Sequence, residues 1–482
     1  MSGGRTPRLL AAAATAGLLL LASCAQTVGG NAVSIYENPF TVAGLPVTSG
    51  PSGPRPGVPD STIEVENAEG TDSDILATNA IDDIQQFWSQ QYPALFKGSF
   101  TPISNVVSWD ASEDEGSGVR FCGDRTGGIP NAAYCTRDDS IGWDRTILLP
   151  ALVDAFGPMS VVMVIAHEYG HAIQHQSGLV GDDTPTIVAE QQADCFAGAF
   201  IRHVAEGDSP HFTINTSDGL NGVLAATVAV RDVDPNDPES VHGSAFERVT
   251  AVQIGFTDGA GACTSIDEAE IDSRRASLPQ TFDDPDDSGE LPVTEDSLGA
   301  FTRSFEQVLP VTDPPAVDYT GSDVGCSDAE ATAPVSYCPS TNTIGVDVED
   351  LAERGQPETP QRGDILPLNV SGDYGAYVLF ASRYTLAVQK EAGQTLDDPQ
   401  TALRSACLSG VITSAMSAEN GSTGLEVILS PGDLDEAVSG LLSDGLAASD
   451  VNGTTLPSGF SRVDAFRSGV LGGKELCDSR YS

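Results

Sequence analysis

The feature that most restricts the fold of this chain is an internal repeat. The run Tyr134-Cys135-Thr136-Arg137-Asp138-Asp139-Ser140-Ile141-Gly142-Trp143-Asp144 returns as Tyr337-Cys338-Pro339-Ser340-Thr341-Asn342-Thr343-Ile344-Gly345-Val346-Asp347. Residues 166–174 (AHEYGHAIQ) then line up with 381–389 (ASRYTLAVQ). Further on, Cys195 and Gly198 match Cys407 and Gly410, and Phe246, Arg248, Val249, Ala251, Gly255, Gly259 and Cys263 match Phe460, Arg462, Val463, Ala465, Gly469, Gly473 and Cys477. Matches that keep their order over so long a period predict one domain used twice, α+β and mainly helical. A length of 482 residues fits two such units better than one core.

Composition places the boundaries. Residues 1–23 read as an export signal, with Arg5 and Arg8 before an apolar run over 9–21. The signal ends in Leu21-Ala22-Ser23-Cys24, which resembles the bacterial lipobox, so Cys24 is expected to carry the lipid; a plain secretory peptide with an incidental cysteine is the alternative. Residues 24–74 follow as lipidated N-terminus and flexible tether, Gly/Pro/Ser-rich over about 41–60. The first domain is expected over 75–265, an acidic linker over 266–297 and the second domain over 298–482. No other stretch approaches the roughly 20 apolar residues of a membrane span, so attachment to the extracytoplasmic face of the membrane would come from acyl chains.

Eight further cysteines, four per copy at matching places, suit an exported chain. Pairing within each copy is the economical choice: Cys122 with Cys135, Cys195 with Cys263, Cys326 with Cys338 and Cys407 with Cys477; other connectivities are compatible with the sequence. The 69 acidic against 23 basic residues give a net charge of -46, which argues against direct nucleic-acid binding.

One copy carries a metal-binding pattern. An apolar helical pattern runs from about Gly157 to Gln176, with Gly178 as its stop. His167 and His171 stand at i and i+4 on one face, able to share a Zn²⁺, and Glu168 is adjacent for proton transfer with a water. A helix expected from near Asp183, with Pro185 in its first turn, carries Glu190 as a third ligand and Asp194 to orient a ligating imidazole. Either carboxylate taken alone also reads as a solvated helix residue. The repeat separates the readings: His167, Glu168, His171, Glu190 and Asp194 correspond to Ser382, Arg383, Leu386, Ala402 and Ala406, while Tyr169, Ala172 and Gln174 persist as Tyr384, Ala387 and Gln389. The persistent residues are therefore assigned to packing.

HEYGH, then Glu190 to Gly198, then His242-Gly243-Ser244 and Arg248, resemble the bacterial neutral zinc metallopeptidases over roughly residues 75–263. With the lipobox and the duplication, the chain is also similar to mycobacterial-type lipoprotein peptidases. The HExxH and ExxxD pair resembles the glutamate-zincins, which implies a zincin-like domain, one zinc ion in the first copy only, His167, His171 and Glu190 as ligands, Glu168 as general base and Asp194 as orienting carboxylate. The metzincin pattern fails, because its third histidine would fall at Ser177; His175 is read as a flanking residue. His242, aligned with Leu456, is the candidate donor to a developing oxyanion, or else structural. By analogy to zincins, residues 140–149 are expected to offer an edge to an extended peptide. The expected function is hydrolysis of peptide bonds in cell-envelope or exported proteins, endopeptidase in type. The inactive second copy is left to bind substrate or an envelope partner. The alternative is a non-catalytic envelope lipoprotein with a structural zinc site.

Overall fold

A computed structural model describes Met1 and residues 38–181, 183–230, 243–275, 289–357, 370–417 and 424–481. Beyond Met1 these fall within one compact unit, Tyr36–Ser482. Cys24 and His242 lie outside the described residues.

The chain is fastened to the body from residue 38 onward. β1 (Thr41–Val42) and β2 (Leu45–Pro46) form a small hairpin, and β3 (Gly53–Pro54) pairs with a later strand, β9 (Phe212–Thr213). The Thr48 amide donates to Thr216 Oγ1 at 2.8 Å, Asn215 Nδ2 to the Gly50 carbonyl at 2.6 Å, and Arg55 Nε to the Ser209 carbonyl at 3.1 Å. The expected flexible tether over about 41–60 is thus a strap. Its low apolar content gave no core to predict, but its backbone groups find fixed partners 150 or so residues away, a pairing that composition does not encode.

α1 (Asp72–Leu95) starts at a capping box of Thr71 with Asp74 and buries Leu76, Ala77, Ala80, Ile81, Ile84, Phe87 and Trp88 at helical spacing. β4 (Asn105–Trp109) precedes a hairpin of β5 (Arg120–Phe121) and β6 (Asp124–Arg125), then β7 (Ala132–Cys135) and β8 (Ser140–Asp144). The sheet order is β4-β8-β7, β8 running parallel to β4 and antiparallel to β7. β8 is buried along its length and central in the sheet, which corrects the expectation that residues 140–149 supply a free edge; β4 and β7 are the outer strands. A strand of five residues, here Ser-Ile-Gly-Trp-Asp, says nothing of which strands flank it.

Helices make up the rest of this half: α2 (Leu148–Phe156), α3 (Pro158–Ser177), α4 (Thr186–Ala205), α5 (Asp218–Ala229), α6 (Ala245–Asp258), α7 (Ala260–Cys263) and α8 (Glu268–Arg275). α3 begins with Pro158 and ends at Gly178 in a left-handed conformation (φ 67°), the C-terminal stop read from the sequence. α4 starts after Pro185 rather than near Asp183. α8 buries Ile271, and its Arg274 and Arg275 reach Gln191 and Glu247, so the acidic stretch assigned to a linker from 266 is structured as far as 275.

The second half repeats this order. α9 (Glu295–Val308) leads into β10 (Ala316–Asp318), β11 (Val335–Cys338) and β12 (Thr343–Val346), arranged β10-β12-β11, with β12 parallel to β10 and antiparallel to β11. Then come α10 (Val348–Arg354), α11 (Asp373–Glu391), α12 (Pro399–Met416), α13 (Asp433–Leu442) and α14 (Gly459–Arg480), the last broken at Gly473. Both halves use the same close crossing. A Cβ on Gly198 would strike the Val252 carbonyl and one on Gly255 the Cys195 carbonyl; Gly410 and Gly469 stand likewise against Phe466 and Cys407. The disulfides are Cys122–Cys135, Cys195–Cys263, Cys326–Cys338 and Cys407–Cys477.

The molecule is therefore mixed α and β, mainly helical, and its two halves share one continuous apolar core. Phe256 meets Phe460 at 5.0 Å between ring centroids, Gln253 donates to the Phe460 carbonyl, and Asp435 of α13 accepts from the Ala245 and Phe246 amides at the start of α6. Among the described residues no helix is long and apolar enough to cross a membrane.

Candidate metal centre

The site lies where α3 crosses α4. Gly170 allows the approach: a Cβ there would sit 2.9 Å from the Ala193 Cα. His167, three residues before Gly170, and His171, the next residue after it, project from α3 with ring centroids 4.8 Å apart, and Glu190 faces them from α4. Glu190 Oε2 is 3.2 Å from His167 Nε2, and Oε1 is 3.5 Å from His171 Nε2. One donor atom from each of the three residues lies within 4.8 Å of the others. Four ligands at about 2.0–2.1 Å in a tetrahedron stand roughly 3.3 Å apart, so the donor set and its spacing suit a zinc ion.

Both imidazoles are oriented from behind. His167 Nδ1 meets Asp194 Oδ1 at 2.8 Å, and His171 Nδ1 meets Gln174 Oε1 at 2.9 Å. Acceptors at Nδ1 place the hydrogens there and leave both Nε2 lone pairs facing Glu190. Asp194, fully buried, is gripped by Arg248 through two 2.8 Å bonds. Gln174 donates to the Ala189 carbonyl and to Gln192 Oε1, and Gln192 donates to the Ile266 carbonyl.

With protons in place of a cation, the electrostatics are those of a poised site. Burial disfavours a charged His167, but Asp194, Glu190 and Glu168 outweigh it and push its pKa up to about 10. His171 is also raised against burial, chiefly by its contact with Glu190. Burial opposes ionisation of Glu190, yet the two imidazoles hold it well below the carboxylate range; Asp194, against the same burial, is held at about 2 by Arg248 and His167. A divalent cation would replace the imidazole protons and keep both carboxylates ionised.

Glu168 stands outside the three-donor cluster, and its Oε2 accepts the Tyr134 amide of β7 at 2.9 Å. Beside it opens a pocket of about 180 Å³ walled by Ala132, Leu148, Leu152, Met163, Val164 and Val230. The other described histidines go elsewhere: His175 to the Tyr134 hydroxyl at 2.8 Å, His203 against Phe87 and Phe200, and His211 to the buried Asp83. His175 is not one of the three convergent donors.

Three residues with parts in this site were not assigned them from sequence. Recurrence as Gln389 suggests a packing role for Gln174, yet Gln174 holds His171; Gln389 instead meets Ser405 and Arg404. Arg248 entered only as part of a motif, and Tyr134 only as part of the repeat. The i to i+3 step from His171 to Gln174 was a usable local signal; Arg248 and Tyr134 offered none. In the second half, Arg383 is buried and bonds the Val335 carbonyl and Ser449, Ser382 bonds the Leu379 carbonyl, and Leu386, Ala402 and Ala406 pack in the core.

No protein-family model and no solved structure match this chain. Uncharacterized proteins of Mycobacterium bovis and of two Mycobacterium tuberculosis strains are each 29% identical to it over 164 residues, covering 29% of this chain and 56% of theirs. The chain thus spans about half the length of these curated relatives.

Proposed function

We propose that this chain is an exported, lipid-anchored zinc metallopeptidase built by tandem duplication of a zincin-like domain, active in its first half only. The observation that carries the reading is the placement of Glu168: a carboxylate adjacent to three convergent ligands but not one of them, held through one oxygen by the Tyr134 amide. A purely structural metal site needs ligands and no neighbouring proton carrier.

His167, His171 and Glu190 would hold the zinc, which supplies Lewis-acid polarisation of a water and of the scissile carbonyl. Glu168 takes the water proton and returns it to the leaving amine, while Asp194 and Gln174 keep the two imidazoles in register. The apolar pocket beside Glu168 receives a hydrophobic side chain next to the cleaved bond, and the β7 edge supports the extended peptide. His242, outside the described residues, is the candidate oxyanion donor. The matching sheet order and paired glycines of the halves support the duplication. Cell-envelope or exported proteins are the proposed substrates, with the second half as scaffold or binding partner.

The test is cleavage of an envelope-protein library by the zinc-loaded full chain and by Glu168→Gln. Turnover should fall by about 10²–10⁴ with zinc retained. Equal cleavage by the two proteins would instead leave a non-catalytic protein with a structural zinc.

A further inference from the structure

A second group of metal-capable side chains stands in the second half, at the opposite end of the helix that lost its histidines. Glu290, Asp373 and Glu436 each offer one carboxylate oxygen, and these lie within 4.8 Å of one another. They come from three places: the stretch leading to α9, the first residue of α11, and the first turn of α13. Their arrangement is fixed by backbone. The Asp373 amide donates to Glu290 Oε2 at 3.2 Å, the Tyr374 amide to Glu436 Oε2 at 2.8 Å, and the Leu291 amide to Asp373 Oδ2 at 3.0 Å. Asp433 stands alongside, held by Ser430.

Asp373 is only 5% exposed, and its buried Oδ1 has no hydrogen-bond partner among the described residues. A buried carboxylate oxygen without a donor is costly and points to a missing ligand. Among the described residues no arginine or lysine pairs with Asp373, Asp433 or Glu436. The amino ends of α11 and α13 supply about half a positive charge each, roughly one in total against the three carboxylates of Asp373, Asp433 and Glu436. A deficit that large calls for a cation or for protons.

We propose that Glu290, Asp373 and Glu436 bind a divalent cation of the hard, oxygen-preferring class, calcium in an exported protein. Calcium takes carboxylate and water oxygens at about 2.3–2.6 Å in flexible geometry, so oxygens up to about 5 Å apart can share one ion. Among the described residues the group holds no nitrogen or sulfur ligand to favour zinc, and three bulky carboxylates suit calcium better than strictly octahedral magnesium. The cation ties the stretch before α9 to the amino ends of α11 and α13. The tie reaches the first half as well, because Asp435, next to Glu436, accepts the first two amides of α6. The assignment is independent of the peptidase reading.

Terbium luminescence, sensitised by nearby tyrosines, tests it on the full chain with its zinc site filled. Saturable emission should appear, be displaced by calcium but not by magnesium at equal concentration, and accompany a calcium-dependent rise in Tm. Glu436→Gln and Asp373→Asn should each weaken calcium binding by about ten-fold or more with an unchanged far-UV spectrum. Absence of calcium-displaceable emission from the wild type overturns the proposal, and so does undiminished calcium affinity in a folded Glu436→Gln protein. The wild-type titration decides the matter even where a variant does not fold.

Discussion

At the crossing of α3 and α4, Gly170 lets the helices close until two imidazoles and a carboxylate share one point, and Arg248 holds the buried Asp194 behind them. At the crossing of α11 and α12, Thr385 aligns with Gly170, and the buried Ser382, Leu386 and Ala402 align with the three ligands. Arg462, aligned with Arg248, donates to the Leu442 carbonyl at 3.4 Å and makes no ion pair among the described residues; burial pulls its pKa down to about 10 against the attraction of Asp444 and Asp218. Similar helix crossings therefore carry a buried, paired charge in one half and, in the other, a buried guanidinium with no ion-paired carboxylate among the described residues. A polar centre is thus separable from the fold around it: the glycine crossings, the disulfides and the sheet order remain while the charges differ.

The largest expected effect follows from that contrast. Arg248→Leu leaves Asp194 buried without its cation and should cost about 3–5 kcal/mol of stability, whereas Arg462→Leu should be neutral or stabilising. Denaturant unfolding of the two variants measures it, and equal losses would mean that Arg462 has a structural role like that of Arg248. A smaller effect separates the two glutamines. Gln174→Leu frees the His171 ring and should weaken zinc affinity by about 10–100-fold, while Gln389→Leu should leave zinc affinity unchanged. A zinc competition titration in which both variants behave alike would remove the distinction.

The smallest effect concerns pH. Burial, with repulsion among neighbouring carboxylates, pushes Asp373 up to about 7, Asp433 to about 8 and Glu436 to about 9. These folded values lie above the unfolded ones near 4, so the folded state holds these protons more tightly. That stability is complete below about pH 4 and is lost as pH rises through about 7 to 9. Metal-free protein should melt a few degrees lower at pH 9 than at pH 6, and Glu436→Gln should flatten the slope. His167, raised to about 10, adds loss of the same sign at the alkaline end. An unchanged slope in Glu436→Gln would remove Glu436 from the pH dependence and leave it to the other groups.

The sequence by itself determined the local geometry. Helical period put His167 and His171 on one face, Gly178 ended their helix, and the matched cysteines gave all four disulfides found in the structure. The repeat marked which residues differ between the halves, and so which ones to suspect. Only the tertiary structure decided what meets those residues from elsewhere. Arg248 reaches Asp194 across 54 residues, the Tyr134 amide reaches Glu168 across 34, and Glu290 meets Asp373 across 83. It also decided that β8 is a central strand and that residues 41–60 form a strap. The reason is physical: dihedral preference and side-chain period act over a few residues and leave their mark in any short window. Contacts closed through the core depend on the packing of every element between, and no single stretch of sequence carries them.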